Sequence, residues 1–391
     1  MIFQLGNLNS APRIYRTYTA LVNNFNVSTA GYNAISIPGE KFVDLSKFQL
    51  IKESGIDFHL KYPLLIRKLF SLLINIFILK KSSESGKYNK LYWTKQRREI
   101  KNHLSNYKFD IIIAHGIDAL PLACELCNES GAKLVFNAHE YYPREFEENK
   151  DWMEHTQPVY HYLCKTYLPK VNLFFNVSEN IRKEYIKNYN KDSVVITNAG
   201  EFKDLKVQTC KDLIRIVHHG AALRGRDIEI MIRCVELLDS RFTMDLMLVP
   251  LDKGYLEEIK NLIRNSKKIK LIEPVEFKYI PGFLNQYDIG LYILPVSNFN
   301  NEMALPNKYF EFIQARLMIA VSPNPEMALL TKKYNIGIVS SDYSPETMAK
   351  ELNMQTVDSI NNFKANSQKA AEEMNAGITA KIILNAIMNL N

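Results

Sequence analysis

The sequence predicts an α/β protein with two domains, each built on a doubly wound parallel sheet. The chain has 391 residues, whereas a single hydrophobic core rarely serves more than about 250–300. Its apolar segments are short unbroken runs, which are typical of parallel strands covered on both faces. The segments between these runs, such as residues 179–189 and 227–238, have the apolar spacing of helices. Repeated strand–helix units of this kind predict doubly wound sheets.

Eight apolar runs end abruptly at a polar residue, a glycine or a proline, and each predicts a buried strand. These strands cover residues 109–116, 132–140, 171–179, 193–201, 213–220, 245–250, 288–295 and 317–323. Weaker candidates lie at residues 1–5, 25–30 and 269–272. Because this is many strands for one sheet, we expect two Rossmann-like domains.

The predicted domain boundary lies in a polar segment near the middle of the chain. Residues 1–200 are expected to form the N-terminal domain, 201–212 the linker and 213–375 the C-terminal domain. A last helix at 376–391 could pack back across the N-terminal domain. In open parallel sheets, ligands bind beyond the carboxyl ends of the strands. We therefore expect the functional site where these ends of the two sheets face each other.

Composition excludes several classes of protein. Hydrophobic residues make up 47% of the chain and charged residues 23%, which excludes a disordered chain and a multi-span membrane protein. Five scattered cysteines favour a reducing cytosol over a disulfide scaffold. Cys124 and Cys127 lie in an apolar helix-like run, so we interpret them as core thiols. The first residues lack the basic start and long apolar core of a signal peptide, which predicts a cytoplasmic location.

The positive charge of the chain is concentrated in residues 61–101. That segment carries a net charge of +9, whereas the whole chain carries +7. Its apolar run at 69–79 is shorter than the ~20 residues that span a bilayer, but an apolar stretch bordered by cations suits a helix lying in an anionic membrane surface. The candidate membrane contacts are Arg67, Lys68, Lys80, Lys81, Tyr92, Trp93, Arg97 and Arg98.

Two other interpretations of this segment remain open. It can be a core helix followed by a solvated basic loop. Nucleic-acid binding ranks last, because no recognisable binding module is present, and we expect no nucleic-acid partner.

A predicted strand ends at His218, His219 and Gly220 and is followed by a loop that contains Arg224 and Arg226. Glycine allows close approach of a ligand to the backbone, and the start of the next helix offers free N–H groups. Two arginines beside these groups suit a pyrophosphate. The alternative is a surface loop with solvated arginines.

A second candidate segment begins at Pro306, which suits the start of a helix. Lys308 then falls in the first turn, where the helix dipole disfavours a cation, and such a misplaced residue often has a function. Glu311 shares its helix face, so Lys308 could meet a phosphate while Glu311 accepts hydrogen bonds from ribose hydroxyls. The alternative is an intrahelical ion pair worth only ~0.2–0.5 kcal/mol.

One histidine follows a buried strand at a position from which a sheet presents side chains to a ligand. This residue is His139, and His115 holds the equivalent place on the neighbouring strand. A histidine in such a place can act as a general acid or base near neutral pH. A purely structural histidine is the alternative.

In their order and spacing these segments resemble the retaining glycosyltransferases of family 4, which have the GT-B fold. The resemblance rests on SAPRIYRTYTAL, FDIIIAHGIDALPLA, KLVFNAHEYYP, VNLFFNVSENIRKEY, VVITNAGEF and IVHHGAALRGRDIE. The most specific match is ALPNKYFEFIQARLMIAVSPNPEM, at residues 304–327, which is similar to enzymes that make bacterial surface and capsular polysaccharides.

The resemblance implies transfer of a sugar from a nucleotide-sugar to a glycan or lipid-linked acceptor, with retained configuration and no bound metal or cofactor. The nucleotide is expected to be UDP. The C-terminal domain would bind this donor through Gly220, Arg224, Arg226, Glu302, Asn307, Lys308 and Glu311. The N-terminal domain would bind the acceptor through Arg13 and Glu140, and His139 and Glu311 match the catalytic positions. The enzyme would work on the inner face of the cytoplasmic membrane.

The chain departs from the family pattern at one acidic position. Many relatives have a pair of glutamates separated by seven residues, but the residue eight before Glu311 is Met303. Either the first glutamate is absent, or Glu302 replaces it through a shifted loop.

Other functions remain open at this stage. A nucleotide-sugar 2-epimerase would share the two-domain outline, and a catalytically degenerate subunit of an assembly complex at the membrane would lack turnover. An NAD-dependent dehydrogenase is disfavoured because no G-x-G-x-x-G follows a strand.

Overall fold

The structure is a computed structural model that describes residues 1–9, 11–35, 37–50 and 84–390. Four of the predicted membrane contacts, Arg67, Lys68, Lys80 and Lys81, lie outside the described residues, as does the apolar run at 69–79.

Thirteen strands and sixteen α-helices are present in the described part of the chain. The strands are β1 (Ile2–Asn7), β2 (Ser28–Tyr32), β3 (Lys41–Asp44), β4 (Ile111–His115), β5 (Lys133–Asn137), β6 (Leu173–Asn176), β7 (Val194–Val195), β8 (Ile214–Ala221), β9 (Phe242–Val249), β10 (Ile269–Ile272), β11 (Ile289–Tyr292), β12 (Met318–Val321) and β13 (Gly337–Val339). The helices are α1 (Pro12–Leu21), α2 (Glu84–Tyr92), α3 (Lys95–Leu104), α4 (Leu120–Ser130), α5 (Lys150–His155), α6 (Gln157–Tyr167), α7 (Glu179–Tyr189), α8 (Ile228–Glu236), α9 (Lys253–Ile263), α10 (Ile280–Leu284), α11 (Phe299–Glu302), α12 (Asn307–Gln314), α13 (Pro325–Tyr334), α14 (Pro345–Asn353), α15 (Val357–Glu373) and α16 (Ala376–Met388).

The first structural unit comprises residues 1–176, 182–194 and 383–391. Its sheet has seven strands in the order β3-β2-β1-β4-β5-β6-β7, and the strand pairs β1–β2, β2–β3, β1–β4, β4–β5 and β5–β6 are all parallel. Cys124 and Cys127 are buried on α4, which confirms their interpretation as core thiols. The carboxyl ends of β4 and β5 lie side by side, because His115 pairs with Asn137 in the register.

The second unit comprises residues 177–181 and 195–382. Its sheet has six strands in the order β10-β9-β8-β11-β12-β13, paired in parallel throughout. The predicted fold class is therefore confirmed, with one parallel-sheet α/β unit in each half of the chain. The middle strands β8, β11 and β12 have apolar side chains that are almost fully buried.

A glycine on β11 sets how closely α12 packs on the second sheet. A methyl group placed on Gly290 would lie only 2.4 Å from a ring carbon of Phe312, which belongs to α12. Only glycine leaves the ring this space, so Gly290 fixes the position of the helix that carries Lys308 and Glu311.

Two buried cations each connect separate segments of the second unit. Nζ of Lys364 on α15 donates to Oδ1 of Asp288 at 2.7 Å and to the carbonyl of Tyr287 at 2.9 Å. The fully buried Arg316 donates to the carbonyl oxygen of Lys203 at 2.7 Å and to that of Gln314. The segment after residue 200 is thereby held against this unit.

All eleven sequence-predicted strands are present, and two further strands, β3 and β13, were not predicted. Both lie at the edge of a sheet and are four and three residues long. Edge strands need no continuous apolar run, which explains why neither one was recognised.

A helix that crosses a membrane must be both long and apolar. In the described ranges, no helix combines the length and the apolar character that crossing a bilayer requires.

Candidate functional site

The candidate site of the second unit lies where β8 ends and α12 begins. His218 and His219 are buried near the end of β8, and Gly220 follows with φ +140°. Lys308 occupies the first turn of α12, as predicted. A methyl group on Gly220 would lie 2.8 Å from Nζ of Lys308, so the missing side chain makes room for the ammonium group.

Two aromatic rings lie next to the ammonium group of Lys308. Its Nζ lies 3.4 Å from Nε2 of His218 and 4.2 Å from the centre of the Tyr292 ring. Burial and the nearby Arg226 guanidinium lower the pKa of Lys308 to about 7, although Glu311 opposes this shift. An ammonium in this environment is strongly stabilised by a bound anion.

The tautomer of His218 follows from its backbone contact. Nδ1 lies 3.0 Å from the carbonyl oxygen of Leu291, which can only accept a hydrogen bond, so Nδ1 carries the proton. Burial and the Lys308 charge lower the pKa of His218 well below its ordinary value. The ring is therefore neutral, and its bare Nε2 faces Lys308.

Arg226 lies close to the same ammonium group. Its Nη1 is 3.4 Å from the hydroxyl of Tyr292 and 3.4 Å from Oδ1 of Asn301. Both contacts are to neutral groups, so this guanidinium adds its full charge to that of Lys308. Two cations held by neutral neighbours form an anion-binding arrangement.

Glu311 is buried one turn after Lys308 on α12. Its Oε2 lies 3.2 Å from Nε2 of His219. Burial and the Lys308 charge lower the pKa of His219 to about 3, so that ring is neutral. Sequence reasoning expected Glu311 in this neighbourhood but did not identify His219 as its partner.

Two of the predicted donor-binding residues have other partners. Arg224 is exposed and forms an ion pair with Glu258, with Nη1 to Oε2 at 2.7 Å. Glu302 ends α11, and burial of Tyr343, together with the Glu302 charge, raises the pKa of that tyrosine. Asn307 begins α12 beside Lys308, as predicted.

The candidate site of the first unit lies at the carboxyl ends of β4 and β5. Nδ1 of His115 lies 3.3 Å from Nε2 of His139, so the two histidines that the sequence offered as rivals are in contact. Burial is the main cause that lowers the pKa of both rings, and the Arg13 charge contributes. The hydroxyl of Tyr142 accepts a hydrogen bond from the backbone N–H of His139 at 3.1 Å.

The two predicted acceptor-binding residues lie in the same neighbourhood. Burial lowers the pKa of Arg13, and the charges of Tyr142 and Glu140 oppose this shift. The backbone carbonyl of Glu140 accepts a hydrogen bond from the hydroxyl of Tyr185 at 2.9 Å. Sequence reasoning missed Glu145, a carboxyl group close to Glu140. Burial, with the Glu140 charge, raises the pKa of Glu145 to about 8.

One of the predicted membrane contacts is corrected by the structure. Tyr92 is only 2% exposed, and its hydroxyl donates to the carbonyl of Asp118, so this ring is part of the core of the unit. Arg97 forms an ion pair with Asp118 and lies over the Tyr92 ring. Trp93 packs edge-on against Tyr92 and is half-buried, whereas Arg98 is exposed.

Sequence reasoning missed Tyr292 and Asn301, although one of them left a signal. Tyr292 ends β11 and interrupts the aliphatic run of residues 289–294, and a buried tyrosine hydroxyl usually needs a polar partner. Asn301 belongs to a segment rich in asparagine that gave no such signal. Within the described ranges, no group of three or more His, Cys, Asp or Glu side chains is arranged to hold a metal ion.

Solved structures are similar in fold to this chain over almost its whole length. HepE from Anabaena in complex with UDP has a TM-score of 0.67 to this chain, at 11% identity over 99% of both chains. The chain has the GT-B fold. A GT-B neighbour described as a glycosyltransferase from Rickettsia africae gives a TM-score of 0.66, at 11% identity over 99% of this chain and 98% of its own. A third, described as trehalose-6-phosphate from E. coli bound with UDP-2-fluoro glucose, gives 0.64 at 13% identity, over 100% of this chain and 99% of its own.

Comparison of the sequence with family profiles gives one match. The profile of the family described as Glycosyltransferase Family 4 matches residues 69–199, which is about a third of the chain. That range includes β4, β5 and the histidine pair. None of the curated proteins compared with the chain matches it.

Proposed function

We propose that the protein is a retaining glycosyltransferase that moves a sugar from a UDP-sugar to a glycan or lipid-linked acceptor during synthesis of a bacterial surface polysaccharide. One observation carries the proposal: Lys308 and Arg226 lie together beside the buried carboxylate of Glu311, at the carboxyl edge of a parallel sheet. This is the edge at which open α/β sheets bind nucleotides. The UDP and UDP-glucose complexes of the Anabaena neighbour and the family profile support the choice of donor.

The charges of the site suit a nucleoside diphosphate. Arg226 and Lys308 offer two positive charges for a diphosphate, and the side chains of Tyr292, Asn301 and His218 next to them are neutral. Glu311 offers carboxylate oxygens for the two hydroxyls of a ribose, because a carboxylate accepts several hydrogen bonds. The two side chains are three residues apart on α12, so they share one helix face with about 5–6 Å between their Cβ atoms.

In the proposed reaction, the bond between the sugar and the β-phosphate breaks while negative charge develops on the departing diphosphate. Arg226 and Lys308 stabilise that charge more strongly in the transition state than in the bound donor. The acceptor hydroxyl attacks the same face of the sugar, and the departing phosphate takes its proton. These two side chains supply the positive charge, so the proposed mechanism uses no bound metal.

The proposal assigns His139 to the sugar that is transferred. Since its ring is neutral, His139 can donate one hydrogen bond and accept another without changing charge near neutral pH. Arg13 and Glu140 remain the proposed acceptor contacts. The positively charged segment at 61–101 supports an acceptor that is held at an anionic membrane surface.

The test is an assay of sugar transfer from a panel of UDP-sugars to lipid-linked and soluble glycan acceptors. We expect Arg226→Ala and Lys308→Ala to lower turnover by orders of magnitude while the thermal unfolding curve stays cooperative. Glu258→Ala, which removes only an exposed ion pair, is the matched control. If both site variants keep near wild-type transfer, the proposed donor site is wrong.

The same assay separates this proposal from an epimerase. With the acceptor omitted, a transferase releases UDP only at the slow rate of donor hydrolysis. An epimerase would release UDP and a modified sugar at full rate without any acceptor, and that result would contradict the proposal.

A further inference from the structure

One of the side chains next to the ammonium group of Lys308 has a role that goes beyond the proposed chemistry. Nε2 of His218 lies 3.4 Å from Nζ of Lys308, and it carries no proton because Nδ1 donates to the carbonyl of Leu291. The imidazole is stacked on the Tyr292 ring, with 28° between the ring planes. The histidine is therefore fixed on two sides, and its one bare nitrogen points at the ammonium group.

We propose that His218 is a positioning residue, which holds Lys308 in the donor site by accepting a hydrogen bond from its ammonium group. The proposal rests on the proposed function, since it concerns the lysine that would bind the donor diphosphate. His218 does not touch the donor in this scheme and acts only through Lys308.

A neutral acceptor has a property that a carboxylate in the same place would lack. It orients the ammonium and stabilises its charged form, but it adds no negative charge of its own. The full positive charge of Lys308 thus stays available for a phosphate. Gly220 and the face of the Tyr292 ring also lie against the ammonium group, and neither of them neutralises its charge.

The charged and titratable groups that face Lys308 come from four elements. They are His218 and His219 on β8, Arg226 in the turn after β8, Tyr292 on β11 and Glu311 on α12. Of these, only Glu311 is anionic, and Arg226 repels the ammonium. Since the pKa of Lys308 is lowered to about 7, the lysine is partly deprotonated in the unliganded protein near neutral pH.

This leads to a signature in solution. A bound diphosphate favours the charged form of Lys308, so binding of UDP should take up a proton above pH 7. The affinity for UDP should therefore fall as the pH rises from 7 to 9. Removal of the acceptor on His218 would leave the ammonium less stabilised and move this fall to lower pH.

The experiment compares UDP binding by calorimetry at pH 6 and pH 8 for the wild type, His218→Phe and His218→Gln. Phenylalanine keeps an aromatic ring on Tyr292 but has no acceptor, whereas glutamine places an amide oxygen near the position of Nε2. We expect His218→Phe to bind UDP at least tenfold more weakly than the wild type at pH 8 and within threefold of it at pH 6. His218→Gln should recover most of the loss. His103→Phe, a histidine among aromatic rings of the first unit, is the control and should bind as the wild type does.

A second measurement does not depend on the nucleotide. Nitrogen-15 NMR of lysine Nζ, with the Lys308 signal assigned by its loss in Lys308→Met, gives the titration midpoint of Lys308 directly. We expect this midpoint to be lower in His218→Phe than in the wild type.

The outcomes are distinguishable. An equal loss of UDP affinity at both pH values without rescue by glutamine would mean that His218 is only structural, and the inference would be overturned. If the wild type does not bind UDP at all, the proposed function fails. The NMR midpoint then decides the inference alone, because an unchanged midpoint in His218→Phe refutes it and a lowered one supports it.

Discussion

Oε2 of Glu311 lies 3.2 Å from Nε2 of His219, and both side chains are buried. A neutral histidine at this distance adds no charge of its own beside the carboxylate. The carboxylate can then accept hydrogen bonds from the two hydroxyls of a ribose, which a glutamine can do with only one oxygen.

We therefore expect Glu311→Gln to bind UDP about 10–100-fold more weakly, since hydrogen bonds to a charged group contribute ~1.5–3 kcal/mol. Inorganic pyrophosphate, which has no ribose, should bind the variant as tightly as the wild type or more tightly. Calorimetry at pH 6.5, where Lys308 is mostly protonated, measures both ligands. Glu258→Gln is the control, and equal losses for UDP and pyrophosphate would refute the ribose contact.

A second prediction concerns the cost of the anion site to stability. The pKa of Lys308 is about 7 in the folded protein, below its ordinary value, so the unfolded chain binds more protons between pH 7 and pH 10.5. The wild type should gain stability with rising pH across this window. Lys308→Met should lose that gain and, at pH 7 or below, unfold at a higher temperature by ~2–4 °C. Thermal unfolding at several pH values tests this, and a lower melting temperature for Lys308→Met at pH 6 would contradict it.

A third prediction follows from three buried histidines, one in the first unit and two in the second. Burial lowers the pKa of His115 and of His219 to about 3, and that of His218 well below its ordinary value. The unfolded chain, whose histidines titrate near 6.5, binds more protons below that pH. The contribution of these histidines to stability should therefore be fully present above pH 6.5 and be lost as the pH drops from 6.5 toward 3, by roughly 1 kcal/mol per pH unit for each histidine.

Acid titrations followed by circular dichroism would measure this loss. With a total stability of about 5–15 kcal/mol, we expect cooperative unfolding near pH 4–5. His155→Gln, which replaces an exposed histidine, is the control. A melting temperature that stays constant from pH 7 to pH 4.5 would contradict the prediction.

A fourth prediction concerns the buried pair of Lys364 and Asp288. Removal of one partner leaves an uncompensated buried charge, so Lys364→Met should lower the free energy of unfolding by ~3–5 kcal/mol. Lys278→Met, which breaks the exposed pair with Glu276, should change it by less than ~1 kcal/mol. Urea unfolding of both variants measures the difference. Similar effects of the two substitutions would show that α15 is not anchored through this pair.

The last prediction tests the membrane surface with residues that the structure describes. Lys90, Lys95 and Arg98 are exposed on α2 and α3. Their replacement by glutamine should reduce flotation with anionic liposomes, because each cation near such a surface contributes ~1 kcal/mol. The matched control replaces Lys332, Lys333 and Lys350, three exposed lysines of the second unit. Unchanged flotation of the first variant would contradict membrane contact by this surface.

The sequence predicted the sheets well because continuous apolar runs report burial on both faces, which is what parallel strands need. It also placed Lys308 in the first turn of a helix and His115 beside His139. These placements depend on spacing along the chain and on the rule that parallel strands end at one edge.

The internal contacts of the site could not be predicted in this way. Lys308 lies next to His218, whose tautomer is set by the carbonyl of Leu291, 73 residues away. The use of Arg97 for a pair with Asp118 likewise depends on packing between distant segments. A charge pattern in the sequence predicts how many cations a segment carries, whereas the folded chain decides which of them already have a partner.

The contact between Arg316 and Lys203 bears on where the chain can be cut. The N–H of Lys203 donates to Oε1 of Gln314, and the N–H of Cys210 donates to Oδ1 of Asn361. These bonds attach both ends of the predicted linker to the second unit. A fragment that started at residue 213 would remove one acceptor of the buried Arg316 guanidinium and the donor to the buried amide oxygen of Gln314, so a separately expressed C-terminal half should begin upstream of Lys203.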